Sequence, residues 1–313
     1  MKSRPTMTSR AKEYLAYRRR LGFQLKTAGQ LLLQFARYAD QRNRRGPLIA
    51  ELAVRWAGLP RHASRSYRAC RLHIVRNFAK YLAISDPDTQ IPPDKVFGSG
   101  YVRAIPHIYT PVEISALLAA ARTLPPCNEL TPHTYATLFG LVACTGLRLS
   151  EAVKLDRADI DWERGLLTIR VSKFRKSRLV PLHASALQAL QTYAQLRDRI
   201  HPIPRTEAFF VSRRRTRLCH GTARSTFGKL RRQLGWSSRS GSRAPRIHDL
   251  RHTFACRRLI QWFEQGVAID QVIAALATYL GHTSPRDTYW YLTGVPELLQ
   301  LATDKFEHFA TGD

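Results

Sequence analysis

The chain has 313 residues and carries 50 Lys and Arg against 23 Asp and Glu, a formal net charge of +27 at neutral pH. This balance indicates a polyanionic partner such as nucleic acid and is unusual for a metabolic enzyme. With 44% hydrophobic residues the chain can bury a core, which excludes a disordered basic tail. No stretch reaches the roughly 18 apolar residues of a membrane span. Charged sequence follows Met1, so export is not expected either.

The cysteines are widely separated and form no Cys-x-x-Cys pair. They are Cys70, Cys127, Cys144, Cys219 and Cys256. This spacing indicates reduced thiols rather than a disulfide framework or a zinc ribbon. We therefore expect a cytoplasmic protein and, from its charge, one associated with the nucleoid.

Residues 1–100 are predicted to be entirely helical. Apolar residues recur at helical spacing from Ala11 to about Gln41, and a clearer helix runs from a candidate N-cap at Ser64 to about Leu82. This part carries 20 Lys and Arg against 6 Asp and Glu, and the rest of the chain is also net positive. Because both parts are basic, both are candidates to contact the same polyanion.

The helix that follows Ser64 is predicted to have two unlike faces. One face collects Tyr67, Cys70, Ile74, Phe78 and Tyr81, and the other collects Arg65, Arg68, Arg76 and Lys80. A solvated surface is the simplest interpretation of such a basic face. Because no acidic residue interrupts it, the pattern favours a helix that lies against a nucleic-acid backbone.

A linker is predicted from Ser85 to Pro106, where Pro, Gly and Asp replace the helical pattern. It places the domain boundary between residues 1–100 and residues 101–313.

The second domain is predicted to be α+β and mainly helical. A helix start is expected at Thr110 with Pro111 in the first turn, and an apolar helix from Tyr135 to Thr145 ends at Gly146. Two strands, Leu166–Val171 and Arg178–Leu182, flank a cationic turn. Further helices are predicted at about 184–198, 221–234, 248–264, 269–280 and 295–310.

The first cluster with chemical potential is Thr145 to Glu151, T-G-L-R-L-S-E. Arg148 lies in a tight turn after a helix, Ser150 can cap the next helix, and Glu151 stands three residues from the arginine. An arginine oriented by a carboxylate can present a planar fork to an anion. Taken alone, such an arginine is more often an ordinary surface residue.

The second cluster is His248-Asp249-Leu250-Arg251, where a spacing of three puts His248 and Arg251 on one helix face. His252 follows His248 by four residues, the spacing of a zinc-hydrolase helix. That motif requires Glu after the first His, whereas Asp249 stands here and Arg251 would oppose a dication, so no metal is expected.

The third cluster starts with His282, which lies in a predicted turn and is followed nine residues later by Tyr291. Tyr289 is a second tyrosine nearby, and the spacing from His282 favours Tyr291. An aromatic cluster of this kind is, on its own, more typical of a core than of catalysis.

Taken together, these clusters resemble the tyrosine recombinase (phage integrase) family over about residues 107–294. The matching motifs are T-G-L-R-x-S-E, a Lys in a hairpin turn before V-P-L, H-x-L-R-H-x-F-A, and L-G-H with Tyr nine residues on; the matching positions are Arg148, Lys173, His248, Arg251, His282 and Tyr291. The resemblance implies a mostly α protein: an all-helical core-binding domain (1–100) and a mainly helical α+β catalytic domain (101–313) with a small antiparallel β-sheet.

The implied reaction is attack of Tyr291 on a DNA phosphate to form a 3′-phosphotyrosyl link, without metal, ATP or another cofactor. Arg148 and Arg251 would neutralise the phosphorane, and His248 would act as base or hydrogen-bond the phosphate. Lys173 is the candidate acid for the leaving 5′-oxygen. It lies in Ser-Lys-Phe rather than between the family's glycines, so Lys176 remains an alternative acid. Similarly, His282 would bind a non-bridging oxygen, and Glu151 would hold Arg148.

The resemblance further implies double-stranded DNA as the partner and a homotetramer on paired sites, with or without sister recombinases. The amphipathic segment 295–308 either packs on its own domain or docks on a neighbouring protomer. A type IB topoisomerase-like nicking and resealing enzyme is an alternative. A non-catalytic DNA-binding protein on a recombinase scaffold is another, against which the complete set of six polar residues argues.

Overall fold

A computed structural model describes residues 5–42, 46–60, 62–98, 105–126, 129–170, 177–238, 243–282, 284–294 and 303. The chain divides into two compact units, Met1–Arg103 and Ala104–Asp313. The predicted helix at 295–310 and the cationic turn with Lys173 and Lys176 lie outside the described residues.

The described part of the first unit is all-helical. Its helices are α1 (Met7–Arg20), α2 (Lys26–Asp40), α3 (Ala50–Gly58) and α4 (Arg65–Leu82). The periodic stretch from Ala11 to Gln41 is therefore two helices rather than one. The break follows from positive φ angles of 90° at Gly22 and 46° at Leu25, which no α-helix accommodates. Short α3 was not predicted.

Helix α4 begins as predicted, since the Ser64 side chain accepts a hydrogen bond from the Tyr67 N–H. The predicted apolar face is confirmed at Ile74, Phe78 and Tyr81, which pack in the core, and wrong at Tyr67 and Cys70, which are exposed. A charged residue occupies the core side instead. Arg71 is buried with its guanidinium 3.7 Å from the centre of the Trp56 ring, and it donates to the Trp56 carbonyl at 2.9 Å. The aromatic face thus compensates for burying a cation.

The second unit is mainly helical, which confirms the predicted class. Its described helices are α5 (Pro111–Arg122), α6 (Leu130–Thr145), α7 (Leu149–Ala152), α8 (Ala184–Ile200), α9 (His220–Gln233), α10 (Ile247–Glu264), α11 (Ile269–Leu280) and α12 (Arg286–Gly294). Helix α5 starts with a capping box in which Thr110 and Glu113 bond each other's backbone N–H groups. None of the described helices of either unit combines the length and apolarity that crossing a membrane requires.

A small antiparallel sheet lies in the second unit, also as predicted. Its strands are β1 (Ile160–Asp161), β2 (Leu166–Ile169) and β3 (Arg178–Pro181), in the order β1-β2-β3. Leu167 of β2 pairs with Ile160 on one side and Val180 on the other, and all three are buried. Strand β1 has only two residues, too few to give an alternating pattern that could be recognised in the sequence.

The described residues of the second unit form two hydrophobic clusters. The larger one surrounds α6 and includes Phe139, Leu167 and Phe209. The smaller one joins α10, α11 and α12 and contains the buried residues Leu259, Leu280 and Tyr291. The smaller cluster therefore fixes the two ends of the α11–α12 turn against α10.

Candidate active site

Three segments of the second unit converge on Arg251: the α6–α7 turn, the first half of α10 and the α11–α12 turn. The Arg251 side chain donates from Nη1 to the Gly146 carbonyl at 2.7 Å and from Nη2 to the Leu280 carbonyl at 2.6 Å. The residue is only 2% exposed. One guanidinium thus ties the ends of α6 and α11 to α10.

The chain requires glycine at both helix ends. Gly146 and Gly281 have φ angles of 63° and 68°, in the left-handed region. A Cβ at Gly146 would lie 2.6 Å from Phe254 Cδ1, and a Cβ at Gly281 would lie 2.8 Å from Arg178 Nη1. These close approaches let both turns pack directly against the site.

Arg148 is the N-cap residue of α7, and Glu151 orients it. Glu151 accepts hydrogen bonds from the Arg148 backbone N–H at 3.0 Å and from Nη1 at 2.8 Å, while Nη2 donates to the Gly281 carbonyl at 2.8 Å. Ser150 was expected to cap this helix, but it is the second residue of α7. The backbone N–H at the helix start is bound by Glu151 instead.

Arg178 of β3 was not among the predicted site residues. Its Nη1 and Nη2 donate to the two carboxylate oxygens of Glu151 at 3.1 and 2.9 Å, and its Nε donates to the Tyr279 carbonyl at 2.7 Å. The side chain is 9% exposed. A lone arginine in a short strand carries no sequence signal for a carboxylate 27 residues away.

The charges of these groups can be assigned from their surroundings. Burial raises the pKa of Glu151, but the hydrogen bonds and charge of Arg178 and the hydrogen bonds of Arg148 outweigh it and lower the pKa to about 2. Burial, followed by the charge of Arg148, lowers the pKa of Arg251 to about 10. At neutral pH three guanidinium groups therefore surround one carboxylate, and the net positive charge suits an anion.

Of the two predicted histidines, His248 precedes Arg251 in the chain and His282 follows it. His282 follows Gly281, and its Nδ1 is 2.7 Å from the Thr288 Oγ1. His248 is exposed on the first turn of α10, where atoms packed around its ring and then the charge of Arg251 lower its pKa to about 4. The carboxylate of Asp249 acts in the opposite direction but is outweighed by these effects, to which Arg246 and Arg148 add. The His248 imidazole is therefore neutral at physiological pH.

Tyr291 lies on α12 and is 2% exposed, whereas Tyr289 is 41% exposed. The Tyr291 ring is stacked on His282, with ring centres 6.4 Å apart. Its Oη is 3.0 Å from Nδ1 of His252. Sequence reasoning considered His252 only as a zinc ligand and missed this contact, although its position one turn after His248 places it on the same helix face.

The four predicted DNA-contacting residues of α4 have different surroundings. Arg65 and Lys80 are exposed. Arg68 is partly buried and donates from Nε to the Pro60 carbonyl at 3.2 Å, and Arg76 donates from Nη1 to the Pro92 carbonyl at 2.8 Å. The last two side chains therefore also hold the turns that flank α4.

Comparisons with known proteins identify the family of the chain. The model of the phage integrase family matches residues 108–295. The Sinorhizobium fredii protein named integrase/recombinase y4rB is 41% identical over 308 residues, covering 96% of this chain and 97% of that one. Tyrosine recombinase XerC of Chlamydia caviae is 32% identical over 238 residues, covering 76% of this chain and 70% of its own. The fold and these matches define a recombinase of the tyrosine class. The chain belongs to the phage integrase family, whose members cut and rejoin DNA.

Solved structures show the same fold. XerH recombinase bound to its difH substrate after cleavage superposes with a TM-score of 0.66 at 17% identity, covering 96% of this chain and 85% of that one. A lambda integrase tetramer on a Holliday junction gives 0.60 at 19% identity, covering 89% and 77%. Both confirm the mainly helical architecture with its small sheet.

Proposed function

We propose that this protein is a site-specific recombinase or integrase that cuts and rejoins duplex DNA through a 3′-phosphotyrosyl bond to Tyr291. The observation that carries the proposal is the meeting of Arg148, Arg251, His282 and Tyr291 where the α6–α7 turn, α10 and the α11–α12 turn converge. Family membership supports the reaction class, and the convergence supports the roles of these residues.

The two arginines supply the charge stabilisation in this proposal. A phosphodiester under attack passes through a pentavalent arrangement whose equatorial oxygens gain negative charge. Arg148 and Arg251 present guanidinium groups of fixed orientation, because each is anchored to backbone carbonyls. Glu151 holds Arg148 at the start of α7 and does not itself contact the phosphate. Such anchoring keeps the reorganisation needed during the reaction small.

The remaining steps require hydrogen bonds and proton transfer. In the proposal, His282 donates to a non-bridging oxygen while Thr288 fixes its ring, and neutral His248 hydrogen-bonds the phosphate. Lys173 protonates the leaving 5′-oxygen, with Lys176 as the alternative acid. The phosphotyrosyl bond conserves the energy of the broken phosphodiester, so the rejoining step requires no ATP.

The proposed partner is double-stranded DNA held by both units, and the proposed assembly is a homotetramer on paired sites. Arg65, Arg68, Arg76 and Lys80 of α4 are the proposed backbone contacts of the first unit. The solved relatives on DNA and on a Holliday junction support this arrangement. The reaction would take place on DNA of the cytoplasmic nucleoid.

Covalent trapping tests the nucleophile. The substrate is a nicked suicide duplex drawn from DNA that flanks the protein's own gene. Tyr291→Phe should abolish the covalent protein–DNA adduct with DNA affinity within about twofold, and the exposed neighbour Tyr289→Phe should retain the adduct. An adduct that persists in Tyr291→Phe contradicts the assignment.

A second measurement separates recombination from topoisomerase-like activity. Wild-type protein should act only on plasmids that carry the flanking sites. Relaxation of a supercoiled plasmid without such a site would favour the type IB alternative.

The general acid is tested with a 5′-bridging phosphorothiolate, whose sulfur leaves without protonation. Lys173→Ala should recover its cleavage activity on this substrate. Lys176→Ala should cleave it at the wild-type rate. The reverse pattern would assign the acid to Lys176.

A further inference from the structure

The hydroxyl of Tyr291 is bound by a histidine outside the predicted catalytic set. His252 lies on α10, one helical turn after His248, and its Nδ1 is 3.0 Å from Tyr291 Oη. The ring centres of His252 and Tyr291 are 5.5 Å apart at an angle of 62°. The separation of 3.0 Å between Nδ1 and Oη lies within the hydrogen-bonding distance that a general base needs to the atom whose proton it removes.

The neighbouring His248 has a different position. Its ring meets the His252 ring edge-on, with centres 4.8 Å apart. His252 therefore contacts both the His248 ring and the tyrosine hydroxyl. The indole of Trp290 packs edge-on against the same imidazole, with ring centres 5.9 Å apart, and restricts its rotation.

We propose that His252 is the general base that accepts the Tyr291 hydroxyl proton, and that His248 serves the phosphate. The proposal rests on the proposed function of Tyr291 as the nucleophile. As the Tyr291 Oη–P bond forms and the P–O5′ bond breaks, the phenolic proton passes to Nδ1 and makes His252 an imidazolium. The leaving 5′-oxygen takes its proton from a separate acid, the hairpin lysine. In the rejoining step both proton transfers reverse.

Within the described part of the chain, two helices bring charged or titratable groups to His252. His248 and the cationic Arg251 belong to α10, and Tyr291, whose ring is also stacked with His282, belongs to α12. A base on Nδ1 requires the neutral tautomer that carries its proton on Nε2. The rate of adduct formation should therefore rise with pH as one imidazole loses its proton.

The test compares His252→Gln, His248→Gln and Tyr291→Phe in single-turnover adduct formation on the suicide duplex. The rates are measured between about pH 5 and pH 8, where an imidazole titrates, on normal and 5′-phosphorothiolate substrates. His252→Gln should be slowed about 100-fold near pH 7, should lose the rise with pH, and should not be restored by the sulfur leaving group. His248→Gln should be slowed but should keep the rise with pH.

The outcomes separate the two proposals. Adduct formation by Tyr291→Phe overturns the proposed function itself. If Tyr291→Phe forms no adduct, the result for His252→Gln decides the role of His252. A wild-type rate, a faster rate or an unchanged pH profile in that variant overturns only the role of His252. The thermal unfolding midpoint and the DNA affinity of each variant establish that it is folded.

If His252→Gln does not fold, wild-type protein still tests the inference. The kinetic pKa of adduct formation is compared with histidine ring titrations by NMR, in which His248→Gln identifies the His248 signal. Agreement with the His248 titration would overturn the assignment of the base to His252.

Discussion

Arg178 binds both carboxylate oxygens of Glu151, at 2.9 and 3.1 Å, and so connects strand β3 to the helix that starts at Arg148. The same guanidinium donates to the Tyr279 carbonyl, two residues before Gly281. Strand β3 directly follows the predicted lysine-bearing turn. Arg178 thus joins the base of that hairpin to Arg148 and to the turn that carries His282.

Removal of Arg178 should be costly, because it leaves a buried carboxylate with half its hydrogen bonds. We expect Arg178→Met to lower the free energy of unfolding by about 3 kcal/mol and to slow adduct formation. The matched control is Arg55→Met, since Arg55 pairs with Glu51 at 2.7 Å on an exposed helix surface. That change should cost less than about 1 kcal/mol. Equal losses in urea unfolding would contradict this difference.

The ionised state of Glu151 should make stability depend on acid pH. The pKa falls from 4.5 in the unfolded chain to about 2 in the fold, so the contribution is complete above pH 4.5 and is lost as pH falls towards 2. Glu151→Gln lacks this titration. The difference in unfolding free energy between wild type and Glu151→Gln should therefore shrink between pH 5 and pH 2 by roughly 3 kcal/mol. A difference in unfolding free energy that stays constant with pH in urea titrations would show that Arg178 does not lower the pKa of Glu151.

Thr288 should act through His282 alone. Thr288→Val keeps the shape of the buried side chain but removes the partner of His282 Nδ1, so the ring loses its fixed orientation. We expect about a tenfold slower adduct rate with unchanged DNA affinity. Thr278→Val is the control, because the hydroxyl of exposed Thr278 donates to the Ala274 carbonyl of its own helix. A Thr288→Val rate equal to that of the control would exclude this role.

Glycine at the end of α6 should be irreplaceable. Gly146→Ala combines a left-handed φ with a Cβ 2.6 Å from the Phe254 ring, and we expect a loss of at least about 1–3 kcal/mol. Gly228 lies inside α9 with no atom within 4 Å of an added Cβ. Gly228→Ala should instead stabilise the protein by about 0.5–1 kcal/mol. Thermal unfolding of the two variants should move in opposite directions.

His248 should titrate below ordinary histidines. With its pKa lowered to about 4, it stays neutral while the unfolded chain takes up a proton near pH 6.5. Stability should therefore fall as pH drops from 6.5 towards 4, and His248→Gln should reduce that dependence. An NMR titration that places the His248 pKa above 6.5 would contradict the described environment.

The sequence predicted the class of fold and the family, because each motif combines a local cap or turn with a polar residue. Gly146 ends α6, Ser64 caps α4, and Arg148 caps α7 two residues after Gly146. Each of these features depends on contacts between residues that are close in the chain. The Glu151–Arg178 pair joins residues far apart in the chain and has no periodic signature. The apolar face of α4 was wrong at Tyr67 and Cys70 for a related reason, since contacts with other helices, such as that of Arg71 with Trp56, decide which side is buried.

Arg251 is both a proposed phosphate ligand and an internal brace between two carbonyl groups that end helices. Its loss would remove reactivity and leave the Gly146 and Leu280 carbonyls unpaired in the interior, at a cost of about 1–3 kcal/mol for each such group. Catalytic decay at this position would therefore also endanger the fold. Selection for a folded chain alone would be enough to preserve this arginine, even in a descendant that no longer cut DNA.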